Sequence, residues 1–261
     1  MHIAYEIYGE EGQPILFIHP PGMGRKVFHY QKQLSSHMKV ILIDLPGHGD
    51  SSIPMDVSIP YFAEQIFKVV TELGLNDVIV CGYSAGGTIA QEFALNYPHR
   101  TRALILSGGF PVVTTKLLKA EFALGIYATK RYLPIVRKVL AISHMKDPHV
   151  RKELDEHLHK NDPYTWYRLY EEAYRYNCVD RLHELRAPLL LIYGSKADYL
   201  NKYMSIYKQH TPYQAAIVKG AFHQIPSKHW QLFNQIVIGF VFQLLNKKEQ
   251  SGEHEYTLEK Q

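Results

Sequence analysis

Residues 77–97 leave the chain little freedom: an apolar strand runs into a helix with only a tight turn between them. Residues 77–81 (Asp-Val-Ile-Val-Cys) form a short β-rich run, residues 86–97 carry a helical pattern, and Pro98 ends it. The turn reads Gly82-Tyr83-Ser84-Ala85-Gly86. A serine at the tip of so sharp a turn sits in a strained backbone conformation, and neighbouring side chains would clash. Glycines at 82 and 86 remove the offending Cβ atoms, and Gly87 lets the helix approach the sheet closely. The first N–H groups of the helix are unpaired, and that of Ala85 can stabilise an oxyanion beside the serine hydroxyl. The expectation is an exposed nucleophile at Ser84. The plain alternative is a tight turn with an incidental serine. Cys81 is a rival nucleophile that its place inside the strand run should bury.

The same alternation of strand and helix repeats along the chain. Residues 15–19 form an apolar run stopped by Pro20-Pro21-Gly22, and residues 39–44 another stopped by Pro46-Gly47. Ser58 can cap a helix with Pro60 in its first turn and Phe62, Ile66, Val69, Val70 and Leu73 on its apolar face; Gly74 ends it. Further strands are expected at 103–106, 189–193 and 215–218, and a last amphipathic helix at about 227–245. Residues 114–185 carry helical patterns only, one of them opened by Asp162-Pro163. The pattern predicts an α/β fold with a mostly parallel central sheet flanked by helices. The core should comprise 1–112 and 186–246, with a helical insertion at 113–185 between two of its strands. The polar residues 247–261 should fray.

A serine hydroxyl needs a base to take its proton, and the base needs a third group to orient it. Among fifteen histidines, His223 stands in a short loop after the last strand and before the last helix. Such loops sit at the carboxyl ends of the strands, where the crevice of an open α/β sheet forms. Asp198 follows the preceding strand on the same rim, in the chain order Ser, Asp, His. It could instead cap a helix over 199–207.

With these residues in place, the chain resembles the α/β-hydrolase superfamily over nearly its whole length, to about residue 245. The resemblance rests on the elbow at 82–87, the loop Asp44-Leu45-Pro46-Gly47-His48-Gly49-Asp50-Ser51, Asp198 and His223. It implies a Ser84–Asp198–His223 catalytic triad, no cofactor and no metal, and it makes the 113–185 insertion a helical cap placed after the sixth strand. The implied reaction is hydrolysis of a carboxylic ester or related acyl compound through an acyl-enzyme. Carbon–carbon bond hydrolysis, lyase or perhydrolase chemistry, or a slow-turnover ligand sensor, would use the same residues. Two departures stand out. Relatives commonly place a second oxyanion N–H two residues after the histidine of the early strand. Here that residue is Pro21, which has no N–H, so either Gly22 supplies the donor through a shifted loop or Ala85 stands alone. A shifted loop is expected. Asp198 also lies one residue later after Gly194 than the commonest spacing.

Composition excludes little else. The chain is 46% hydrophobic and 21% charged with a net charge of +4, which is ordinary for a globular protein, and no nucleic-acid motif occurs. No signal peptide or membrane-spanning run is evident, and two distant cysteines argue against a disulfide scaffold. A cytoplasmic monomer or homodimer acting on a small acyl or ester substrate is expected. Residues 114–152 hold nine Lys or Arg against Glu121 and Asp147. That excess could attract an anionic substrate or an anionic membrane surface, or it could be a solvated helix face balanced by later acidic residues. Trp166, Tyr170 and Tyr174 share one helix face and could line a substrate pocket or simply fasten the cap. His149, Glu153 and His157 have the spacing of metal ligands on a helix, but a mixed-charge helix explains them without an ion.

Overall fold

The computed structural model describes residues 1–196 and 200–258. Seven strands form one sheet in the order β1-β3-β2-β4-β5-β6-β7. They are β1 (Tyr5–Tyr8), β2 (Pro14–Ile18), β3 (Lys39–Ile43), β4 (Val78–Tyr83), β5 (Thr101–Ser107), β6 (Leu189–Gly194) and β7 (Gln214–Val218). All pairs are parallel except β1 with β3, where Tyr5 faces Ile43 and Tyr8 faces Val40. The central strands read as unbroken apolar runs because both their faces are covered.

Alternate residues of each strand feed two separate cores, as the period-two geometry of a strand requires. Leu16, Ile18, Ile41, Val80, Leu104 and Leu191 point to one face, which is covered by α1 (Ile59–Glu72) and α2 (Gly86–Asn96). Ile15, Phe17, Leu42, Cys81, Ile105 and Ile192 point to the other, where a 3-10 segment (Arg25–Ser36) and α9 (Trp230–Leu258) pack. Helix α1 begins as its residues dictate: Ser58 Oγ accepts from the Tyr61 N–H and proline occupies the first turn.

Between β5 and β6 the chain forms α3 (Lys116–Arg131), α4 (Leu133–His144), α5 (Pro148–Leu158) and α6 (Pro163–Arg175). Asp147 and Asp162 cap α5 and α6, each followed by a first-turn proline. This insertion follows the fifth strand rather than the sixth, because only five segments before Pro111 form strands. Helices α7 (Leu200–His210) and α8 (Ile225–Lys228) complete the chain. The last helix continues to Leu258, into the polar stretch that begins at residue 247. No helix among the described residues is long and apolar enough to cross a membrane. Cys81 and Cys178 are buried free thiols; burial pushes the Cys178 thiol up to about 12 and Cys81 higher still.

Candidate active site

The turn between β4 and α2 has the geometry its glycines predict. Ser84 has φ 52°, the one left-handed non-glycine among the described residues. Its N–H donates to Ser107 O at 2.8 Å, and its C=O accepts from the Gly87 N–H at 2.9 Å, so the strain is held from both sides. A Cβ on Gly86 would lie 2.5 Å from Ile18 O, and one on Gly82 2.6 Å from the Gly87 Cα. Larger residues at either position would force the helix off the sheet.

His223, in the loop after β7, brings its Nε2 within 2.6 Å of Ser84 Oγ. Burial pushes the imidazole down to about 4, with the nearby His144 adding to the effect, so the ring is neutral at pH 7. A neutral Nε2 can accept the serine proton. Asp198 lies outside the described residues. Ala85 caps α2 and lines the pocket, and its N–H takes no backbone acceptor among the described residues.

The β2–Arg25 loop is fastened to the cap. Gly22 has φ 83°, and its Cα packs against the Trp166 indole, where a Cβ would lie 1.8 Å from Cε2. The Gly22 C=O accepts from Asn161 Nδ2 at 2.7 Å, and the Met23 N–H turns back to Pro20 O at 3.2 Å. Pro20, Pro21 and Met23 line the pocket, whereas Gly22 does not. Pro21, which has no N–H, thus stands at the pocket wall while Gly22 is turned to the cap.

The pocket over Ser84 has a volume of about 210 Å³. Leu118 and Phe122 of α3, Leu140 of α4 and Tyr170 of α6 supply its apolar walls, with Glu121, Ser143, His144 and Gln224 as polar points. Of the three aromatic residues expected here, only Tyr170 lines it. Trp166 is fully buried beneath Gly22, and Tyr174 is part-exposed against Phe122. Each step of four residues rotates 40° further round the helix, so the stripe cannot keep one environment. Sequence reasoning missed His144. Its Nδ1 lies 2.9 Å from Leu140 O, which fixes the proton there, and its Nε2 accepts from Tyr83 OH at 3.1 Å. The Tyr83 ring in turn lies 5.5 Å from that of His223.

A second polar cluster fastens the cap beside this pocket. His157 of α5 reaches Asp44 Oδ1 at 2.8 Å, and Lys160 reaches Asp50 at 2.7 Å. Asn161 accepts from the Gly49 N–H at 2.7 Å while donating to Gly22, and the Asp162 N–H donates to Gly47 O. Asp44 also accepts from the Arg25 backbone, the Arg25 guanidinium and the Asp50 N–H. Burial would raise the Asp44 carboxyl, but the His157 contact and the Arg25 N–H hold it well below the usual carboxylate range. Asp44, Asp50 and His157 approach as metal ligands could, yet Arg25 bridges both carboxylates. The helical set His149, Glu153 and His157 is split: His149 is exposed and His157 points to Asp44.

The model of the α/β hydrolase fold matches residues 13–235. The chain belongs to this family. Among α/β hydrolases, it is 27% identical over 259 residues to the pimeloyl-[acyl-carrier protein] methyl ester esterase of Aeromonas salmonicida, covering 92% of this chain and 100% of that one. Its fold matches that of an esterase from Exiguobacterium antarcticum with a TM-score of 0.81 at 22% identity, over 92% and 95% of the two chains. A bromoperoxidase from Bacillus anthracis matches with the same TM-score at 18% identity, over 92% and 95%. At such identities the likeness speaks for the fold, which hosts more than one chemistry.

Proposed function

We propose that this α/β hydrolase cleaves carboxylic esters through an acyl-enzyme on Ser84. The 2.6 Å contact between Ser84 Oγ and His223 Nε2 carries the reading. Ser84 attacks the ester carbonyl as His223 takes its proton, and the Ala85 N–H stabilises the tetrahedral oxyanion. Collapse expels the alcohol, which leaves with the proton from His223. Water, deprotonated by the same imidazole, then attacks the acyl-serine and releases the acid. Asp198 is the carboxylate proposed to hold the His223 ring. The apolar walls suit an apolar acyl group, and the names of the relatives favour small alkyl esters, methyl esters among them.

A panel of methyl and p-nitrophenyl esters of increasing acyl length tests this on wild type and Ser84→Ala. The variant should lose at least about 1000-fold in kcat, and a fluorophosphonate should label wild type alone. Unchanged turnover in Ser84→Ala removes this serine from the reaction. Pro21 favours a second reading, a slow-turnover ligand sensor on the same site. Labelling without useful turnover of any ester supports it.

A further inference from the structure

Helix α3 is amphipathic twice over. Leu118, Phe122 and Thr129, at i, i+4 and i+11, are buried. Leu117, Ala120, Leu124 and Tyr127, at i, i+3, i+7 and i+10, form the opposite face and are exposed, Leu124 to 67%. A helix at a protein surface normally turns charge outward opposite its buried stripe; this one turns out a second apolar stripe. Helix α4 repeats the arrangement. Ala141 and His144 are buried, while Ile135, Val139 and Ile142 are exposed to 63%, 57% and 51%. The two outer faces meet where the Tyr127 and Tyr132 rings lie 6.0 Å apart.

Cations border these stripes. Lys116, Lys119 and Arg131 belong to α3 or its end, Lys138 to α4, and Lys146 follows it; none makes an ion pair among the described residues. Lys130 is satisfied by Glu171 at 3.0 Å and is set apart from this group. A crevice between α4 and α5 places Arg151 and Asp155 beside Ala141 and Ile142; Lys152 there pairs with Glu156 at 3.8 Å and, like Lys130, is set apart.

We infer that the outer face of α3 and α4 docks the protein on an anionic lipid bilayer. Apolar side chains ringed by lysine and arginine satisfy the two requirements of an interfacial helix: acyl chains receive the first and headgroup phosphates the second. An acidic protein would answer the charge. A bilayer also accepts Leu124, Ile135 and Val139 without any matching shape, which decides between them. The inner faces of the same helices supply Leu118, Phe122 and Leu140 to the pocket, so docking sets the pocket roof against the lipid. The docking does not depend on the chemistry at Ser84.

Co-sedimentation of the whole protein with vesicles tests the inference, using equal parts phosphatidylcholine and phosphatidylglycerol against phosphatidylcholine alone. Wild type should bind the anionic vesicles, weaken with added salt, and leave phosphatidylcholine unbound; Ser84→Ala should bind as wild type does. Leu124→Glu with Val139→Glu should cut partitioning at least ~10-fold, the effect of losing one buried leucine or more. Lys119→Glu, Arg131→Glu and Lys138→Glu together should cut it on the order of 100-fold, at about five-fold per surface cation. Both variants should keep the wild-type melting temperature and its rate on a short soluble ester, none of these residues lining the pocket. Failure of wild type to bind anionic vesicles at low salt overturns the inference. So does binding that neither variant weakens. A wild-type dimer that Val139→Glu converts to monomer assigns the face to a second copy, and binding to an acidic protein but not to vesicles assigns it to that class; either result also overturns it.

Discussion

Asp44→Asn probes the joint between cap and core most directly. The carboxylate is fully buried and accepts from four donors: the Arg25 N–H at 2.7 Å, the Asp50 N–H at 2.9 Å, His157 Nε2 at 2.8 Å and the Arg25 guanidinium. Asparagine keeps the shape but removes the charge and turns an NH2 toward groups that donate. Removing one partner of a buried pair costs about 3–5 kcal/mol. Arg25 retains Glu6 and Asp50, so the lower end applies here. For a chain of this size, about 3 kcal/mol lowers the melting temperature by roughly 6–12 °C. The pH dependence supplies a second check. The folded Asp44 carboxyl lies below its ordinary value of 3.8, so its contribution is complete above that value and is lost as pH falls through the folded one. The gap between wild type and Asp44→Asn should therefore be constant near neutrality and narrow below about pH 4. Circular dichroism melts across a pH series measure both. A drop under about 2 °C at neutral pH, or a gap that widens in acid, would refute the reasoning.

Three further outcomes are expected. Pro21→Ala restores an N–H at the pocket wall and should raise kcat about 10- to 100-fold on a good ester; no gain means the loop cannot aim a donor there. Gly22→Ala must fit a Cβ 1.8 Å from the Trp166 ring at φ 83°, so urea denaturation should show a loss of about 2 kcal/mol or more. Since burial lowers the His223 pKa, the base form persists into mild acid, and kcat/KM at pH 6 should remain close to its value at pH 7; an acid limb centred at or above the ordinary 6.5 would contradict this.

What the sequence revealed was mostly local. The Ser84 turn could be read because strand, turn and helix lie within about twenty residues and each glycine has a steric reason. The central strands showed themselves as apolar runs. Strand β1 did not, because it is an edge strand whose residues alternate between exposed and half-buried, and only its pairing with β3 defines it. His223 followed from its place after the last strand, but nothing in its neighbourhood indicated His144, which approaches Tyr83 across 61 residues. The Asp44 cluster was equally hidden: Arg25 and His157 stand 19 and 113 residues away, and no periodicity links them. Trp166, Tyr170 and Tyr174 share a helix face as read, yet which of them lines the pocket depended on what packs there. Gly22 takes Trp166, and the pocket takes Tyr170.

Asn161 has a consequence for how substrate gains admission. Its single amide ties the carbonyl beside the Pro21 wall to the loop after β3, and three neighbouring contacts bolt the α5–α6 corner to the same place. Swinging that corner outward would drag the reacting centre out of alignment. The cap is thus a door with a fixed jamb, and any movement that admits substrate falls to the α3–α4 side, where α3 rests on α6 through Phe122 and Lys130. Amide exchange should be slowest at Asp162 and fastest along α3, and a crosslink between α3 and α6 should shut out bulky esters while sparing the smallest.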